Sequence, residues 1–146
     1  GKLDLPRELS IDSGVVLAYF LGEELGKIVK AAILPPKDRK VYSNRVAVSE
    51  LFYVLCRRRS EEFAHEATEA LLKSGYISMI SSDELDIEAG RYKCARGISL
   101  ADCYVIALAK ILNITALFAR REEALKKELA REAFDVKMLF LEDLTK

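Results

Sequence analysis

The sequence predicts an α/β fold: a three-layer α/β/α sandwich around a central parallel sheet of four to five strands, in a single domain spanning residues 1–146. Two observations predict it. Short apolar, β-rich runs alternate with longer segments of helical period, which is the pattern of a parallel sheet covered on both faces. A chain of 146 residues that is 51% hydrophobic fills one core, and no repeat or low-complexity segment divides it.

The elements follow in order. Leu9 to Asp12 reads as a short buried strand ending at Ser13-Gly14. A helical pattern runs from Val15 to about Leu34, loosened near Gly22 and Gly26, and Pro35-Pro36 stops it. Lys40 to Ser43 reads as a second strand. Val46 to about Arg58 is a helix apolar nearly all round, and so a central one. Ser60 caps the next helix, which Gly75 ends after Ser74. Tyr76 to Ser81 alternates as a third strand. A helix from Asp83 to about Ala95 closes at Gly97, and Ser99 caps a long apolar helix to about Leu112. Thr115 to Ala119 is a fourth strand, Arg121 to about Glu132 an amphipathic helix, and Val136 to Leu141 a fifth strand.

Composition narrows the function. Lys and Arg total 23 and so do Asp and Glu, so the chain is no simple basic nucleic-acid binder, although a local basic rim is compatible with neutrality. No apolar run is long enough for a membrane span and no signal-peptide pattern opens the chain, so the expected setting is the cytoplasm with no membrane partner. Cys56, Cys94 and Cys103 lack metal or redox spacing and are expected to be buried, reduced thiols. His65 lies among Glu61, Glu62, Glu66 and Glu69 and reads as a solvated helix position.

Three acids stand alone in apolar stretches: Asp12 in residues 9–21, Glu50 in 46–56 and Asp102 in 97–109. A carboxylate on a buried element is costly unless it is paired, hydrogen-bonded, neutralised or bound to a cation. Each has a bland account. Asp12 reads as a turn residue after a strand. Asp102 completes a capping-box-like Ser99-Leu100-Ala101-Asp102. Glu50, whose helical neighbours are Val46, Ala47, Tyr53 and Val54, would need a buried arginine. Taken together, the three point to one cluster holding a hard cation, magnesium or manganese. Such a cluster supports metal-assisted phosphodiester hydrolysis without a serine, cysteine or histidine nucleophile. In a parallel sheet the ligand crevice lies beyond the carboxyl ends of the strands, where Asp12 falls and where Glu122 and Glu123 follow the fourth strand.

The segments Ile11-Asp12-Ser13-Gly14-Val15-Val16-Leu17-Ala18, Val48-Ser49-Glu50-Leu51-Phe52-Tyr53-Val54-Leu55 and Ile98-Ser99-Leu100-Ala101-Asp102-Cys103-Tyr104-Val105-Ile106-Ala107 resemble the PIN-domain family. The resemblance covers nearly the whole chain. It implies a nuclease with clustered acids binding Mg2+ or Mn2+, RNA as substrate, and for many prokaryotic members a toxin with an antitoxin partner and a homodimeric state. Asp12, Glu50 and Asp102 match the family's first three acids. The fourth departs: where Thr or Ser, one residue, then Asp is usual, this chain reads Phe118-Ala119-Arg120-Arg121-Glu122-Glu123. Glu122 is the expected replacement and Glu123 the second choice, and both also read as first-turn helix acids favoured by the macrodipole. Ser13 and Ser99 are expected to hydrogen-bond the carboxylates. Arg45, Arg120 and Arg121 are expected at substrate phosphates. Arg57, Arg58 and Arg59 read as solvated charges at a helix end, with phosphate binding the second reading, and Tyr19, Tyr53 and Tyr104 as core packing, with base stacking the second. The alternative to a ribonuclease is a non-catalytic RNA-binding or scaffold protein of the same fold.

Overall fold

A computed structural model describes residues 4–145. Five strands form one parallel sheet: β1 (Glu8–Ile11), β2 (Lys40–Asn44), β3 (Ser78–Ile80), β4 (Thr115–Phe118) and β5 (Met138–Phe140). Their order is β3-β2-β1-β4-β5. Glu8 pairs in register with Lys40, Ile11 with Leu117, Asn44 with Ile80 and Phe118 with Phe140. The helices are α1 (Ser13–Phe20), α2 (Glu24–Ala32), α3 (Arg45–Arg58), α4 (Glu61–Ser74), α5 (Asp83–Ala95), α6 (Leu100–Leu112) and α7 (Glu123–Arg131), with a 3-10 turn at Leu141–Leu144.

The period of two along β4 separates the two faces of the sheet. Leu117 joins Leu9, Ile11, Val29, Leu51 and Leu55 in the cluster under α1 to α4. Ala116 and Phe118 join Leu85, Ile98, Ile106 and Leu108 under α5 and α6. Ser10, a polar residue in the middle of β1, is fully buried and donates to the Val105 carbonyl of α6 at 2.8 Å, so its burial leaves no hydroxyl unmet. The expected sandwich is therefore the observed one, with five strands.

Side-chain caps fix most helix starts. Asp12, Asn44, Ser60, Ser82 and Ser99 accept from backbone N–H groups at the heads of α1, α3, α4, α5 and α6. The long helix expected from Val15 to Leu34 is two helices. Gly22, at φ 66, turns the chain back, and Gly26 lets α2 lie against α1. A Cβ on Gly26 would stand 2.2 Å from the Ala18 carbonyl oxygen, so only glycine fits this crossing. β3 and β5 are shorter than expected because each is an edge strand bonded on one side only. The last helix begins at Glu123 rather than Arg121. Of the three thiols only Cys103 is buried, which pushes its pKa up to about 11; Cys56 is half-buried and Cys94 exposed. Among the described residues no helix is long and apolar enough to cross a membrane.

Candidate active site at the carboxyl end of the sheet

The chain leaves β1 for β2 and β3 on one side and returns to β4 and β5 on the other. The crevice of such a sheet opens where this reversal occurs, between the ends of β1 and β4. Asp12 is the first residue beyond β1, and its N–H donates to the Leu117 carbonyl of β4 at 3.1 Å. One carboxylate oxygen of Asp12 caps α1 by accepting from the Val15 N–H at 3.1 Å, and the Ala119 backbone also bonds the group. These bonds favour the anion, but they are outweighed. Burial, then the charges of Asp102 and Glu50, push the Asp12 carboxyl up to about 8.

Asp102 lies in the first turn of α6. Its N–H donates to Ser99 Oγ at 3.1 Å, and the Ser99 side chain also steadies its carboxylate. Burial is the larger effect, and with Glu50 and Glu122 it lifts the Asp102 carboxyl to about 6. Glu50, half-buried on α3, accepts from Ser13 Oγ at 2.6 Å, and among the described residues no arginine pairs with it. The capping reading of Asp12 and Asp102 and their membership of a cluster thus hold together, because a carboxylate at a helix start has oxygen to spare for both.

Glu122 is exposed, stands at the N-cap position of α7 without a side-chain cap bond, and adds to the charge felt by Asp102. Glu123 is exposed in the first turn of α7. The structure therefore brings Asp12, Glu50, Asp102 and Glu122 to one end of the sheet, electrostatically coupled. As the side chains stand, no three His, Cys, Asp or Glu groups among the described residues close to metal-binding distance. Mutual repulsion works against such closure, and the all-oxygen donor set suits a hard cation that would relieve it.

A cleft of about 180 Å3 opens beside Asp12, lined also by Gly14, Leu17, Glu23, Arg58, Ala119, Arg120 and Glu122. Of the three arginines expected at phosphates, Arg120 lies here. Arg121 is committed elsewhere: its guanidinium pairs with Asp143 at 2.7 Å and Glu142 at 3.3 Å and lies 3.9 Å over the Phe140 ring. In this arrangement it fastens the loop after β4 to the 3-10 turn rather than lining the cleft. Arg45 is exposed at the start of α3, outside the lining of this cleft. Glu23 lines the cleft although sequence reasoning did not single it out, and Arg58, read first as a solvated charge, lines it too. The one hint of Glu23 in the sequence is Gly22 directly before it, whose left-handed turn reverses the chain between α1 and α2, and a glycine alone does not single out the residue after it. Tyr53, expected in the core, is 47% exposed with Arg57 over its ring, while Tyr104 bonds Asp86 at 2.7 Å and Tyr19 packs edge-on against Phe20.

A family model described as PIN domain matches residues 9–136. Among solved structures, the chain is similar to the sarcin-ricin loop-cleaving toxin VapC20 of Mycobacterium tuberculosis, with 17% identity, a TM-score of 0.65, and coverage of 89% of this chain and 98% of that one. VapBC2 of Rickettsia felis, bound to a DNA fragment from its promoter, gives 12% identity, a TM-score of 0.65 and coverage of 91% and 97%. VapBC-1 of nontypeable Haemophilus influenzae gives 12% identity, a TM-score of 0.60 and coverage of 92% and 98%. No curated protein matches the sequence. At these identities the structural likeness speaks for the fold.

Proposed function

The chain belongs to the PIN-domain family, and from that membership and its carboxylate cluster we propose that it is a metal-dependent ribonuclease acting as the toxin of a toxin–antitoxin pair. One observation carries the reading. Asp12, Glu50 and Asp102 come from three distant segments, none is paired with an arginine among the described residues, and burial, then the charges of Asp102 and Glu50, raise the Asp12 carboxyl to about 8. Unpaired, partly buried carboxylates destabilise the metal-free fold near neutral pH, and such costly clusters concentrate at functional sites, which supports the reading.

Asp12, Glu50, Asp102 and Glu122 would hold Mg2+ or Mn2+. The bound ion would supply a nucleophilic water at neutral pH and offset charge on the phosphodiester oxygens. The chain's own side chains do the rest. Ser13 fixes the rotamer of Glu50 through the 2.6 Å bond, and Ser99 steadies Asp102 at the head of α6. Without a cation, burial and the neighbouring acids raise the Asp12 carboxyl to about 8 and favour its protonated form at neutral pH, and a bound cation would favour its carboxylate. Arg120, on the lip of the cleft, faces the substrate phosphate, and exposed Arg45 meets a more distant one. The toxin–antitoxin neighbours support a small antitoxin partner, and we extend the reading to a homodimer in the cytoplasm.

The test is cleavage of labelled single-stranded RNA with manganese and with EDTA. Cleavage is expected only with the metal, and Asp12→Asn and Asp102→Asn should abolish it. Retention of activity in both variants refutes the reading. Expression of the chain alone should arrest growth, and co-expression with a small adjacent gene should relieve the arrest. Two observations favour a second reading, a non-catalytic RNA-binding protein. Arg121 stands where the fourth acid is expected, and among the described residues no three acids close to metal distance as they stand. Calorimetry separates the two: no manganese binding at millimolar concentration selects the second.

A further inference from the structure

The lip of the Asp12 cleft carries a trio outside the four carboxylates, in which Arg120, assigned above to a substrate phosphate, is joined by Glu23 and Arg58. Glu23 sits between two arginines, with Arg58 Nη2 3.7 Å from its Oε2 and Arg120 Nη1 3.6 Å from its Oε1. Each guanidinium takes a different oxygen, so the carboxylate is straddled. The three residues come from three places: the turn between α1 and α2, the end of α3, and the loop after β4. Both arginine side chains are half-exposed, at 56% and 50%. Glu23 is partly buried at 27%, but long pairs to half-exposed arginines contribute only about 0–1 kcal/mol to stability, so folding accounts for little of the arrangement.

We infer that Arg58 and Arg120 form a seat for one backbone phosphate of a single-stranded nucleic acid, and that Glu23 is a placeholder holding the seat open until the phosphate displaces it. The inference rests on the nuclease reading above. A phosphodiester carries one negative charge and offers two oxygens, as Glu23 does, so the exchange preserves the charge balance of the lip. Guanidinium groups suit this ligand because their planar donors match paired oxygens. Without an anion between them the two arginines would repel each other, and with Glu23 they stay aimed at the cleft. The displacement costs little because both contacts are long, at 3.6 and 3.7 Å, and both arginines are half-exposed. The seat adjoins the Asp12 carboxylate, so a phosphate held there lies beside the expected cation. It also supplies the local basic rim that a chain of zero net charge needs to hold a polyanion.

The test is fluorescence anisotropy of labelled single-stranded RNA in EDTA, where cleavage does not interfere, over a series of NaCl concentrations. Arg58→Ala and Arg120→Ala should each flatten the plot of log affinity against log salt by about 0.7 to 1. Arg58→Lys and Arg120→Lys should keep the wild-type slope, which separates lost charge from lost fold. Arg57→Ala, at the same helix end but stacked over Tyr53, should leave the slope unchanged. Glu23→Gln should bind severalfold more tightly than wild type at every salt concentration. Wild-type slopes in both alanine variants, an equal change in Arg57→Ala, or weaker binding by Glu23→Gln would overturn the seat. If those results come with intact manganese-dependent cleavage, only the seat falls. A wild-type chain that neither binds nor cleaves RNA brings down the nuclease reading and the seat with it.

Discussion

An aspartic acid that keeps its proton to about pH 8 makes the metal-free fold sensitive to alkali, and Asp12 is such a residue. An unfolded aspartate titrates near 3.9. The folded chain therefore holds the protons of Asp12 and Asp102 more tightly than the unfolded chain does. Their contribution to stability is full below about pH 4 and is lost as pH rises through about 6 for Asp102 and about 8 for Asp12. Asp12→Asn removes the titration and keeps an oxygen to accept from Val15. In EDTA the variant should melt several degrees above wild type at about pH 8.5 and level with it near pH 4, read by circular dichroism. An equal gap at both values would mean that the carboxyl is not raised. Ser13→Ala removes a nearly buried hydroxyl from Glu50, and urea unfolding should show a loss of about 1–2 kcal/mol. The three acids were legible in the sequence because each stood alone among apolar neighbours. Glu23 was not, because a glutamate beside Glu24 and Lys27 looks like any solvated helix start. Arg121 misled for the opposite reason: it adjoins the site in sequence, but Glu142 and Asp143, some twenty residues away, claim it.

The turn between α1 and α2 delivers Glu23 to the cleft, so helix packing there sets the position of a cleft-lining side chain. The atom facing Gly26 is a backbone oxygen at 2.2 Å, which cannot step aside as a flexible side chain would. Gly26→Ala should therefore push α2 off α1 and cost about 1–3 kcal/mol, the range for overpacking. Gly90 gives the contrast. It is exposed on α5 with open space where a Cβ would go, and Gly90→Ala should stabilise by about 0.5–1 kcal/mol. Denaturant midpoints of the two variants should move in opposite directions. If both fell, the close crossing of α1 and α2 would not be what Gly26 serves. The same crossing explains why the break at Gly22 was hard to read. α1 and α2 pack into the same cluster, so their apolar residues continue one helical pattern through the turn. Capped elements such as α4, between Ser60 and Gly75, were read almost to the residue because local chemistry marks both of their ends.

Strand order governs the whole molecule, and the sequence does not state it. Alternating strands and helices imply a parallel sheet, but the reversal between β1 and β4 is set by how both faces of the sheet are covered. That reversal brings Asp12 beside the loop after β4, and so makes four separate acids one electrostatic unit. A unit of this kind should respond to a cation as a whole. An ion that binds the folded chain alone stabilises it by about 2.7 kcal/mol at a hundredfold excess over its Kd. Asp12 and Asp102 hold protons up to about 8 and about 6, so the ion must displace them, and its effect should grow as pH rises from 6 to 8. Thermal melts with manganese should therefore show a larger increase at pH 8 than at pH 6, with protons released into a weakly buffered solution. Asp12→Asn and Asp102→Asn should lose most of the increase. Glu23→Gln should keep it, because Glu23 answers to Arg58 and Arg120 on the lip and not to the four clustered acids. A manganese shift that ignores pH and survives Asp12→Asn would place the ion elsewhere on the surface, and the coupled carboxylates would then need another partner to account for them.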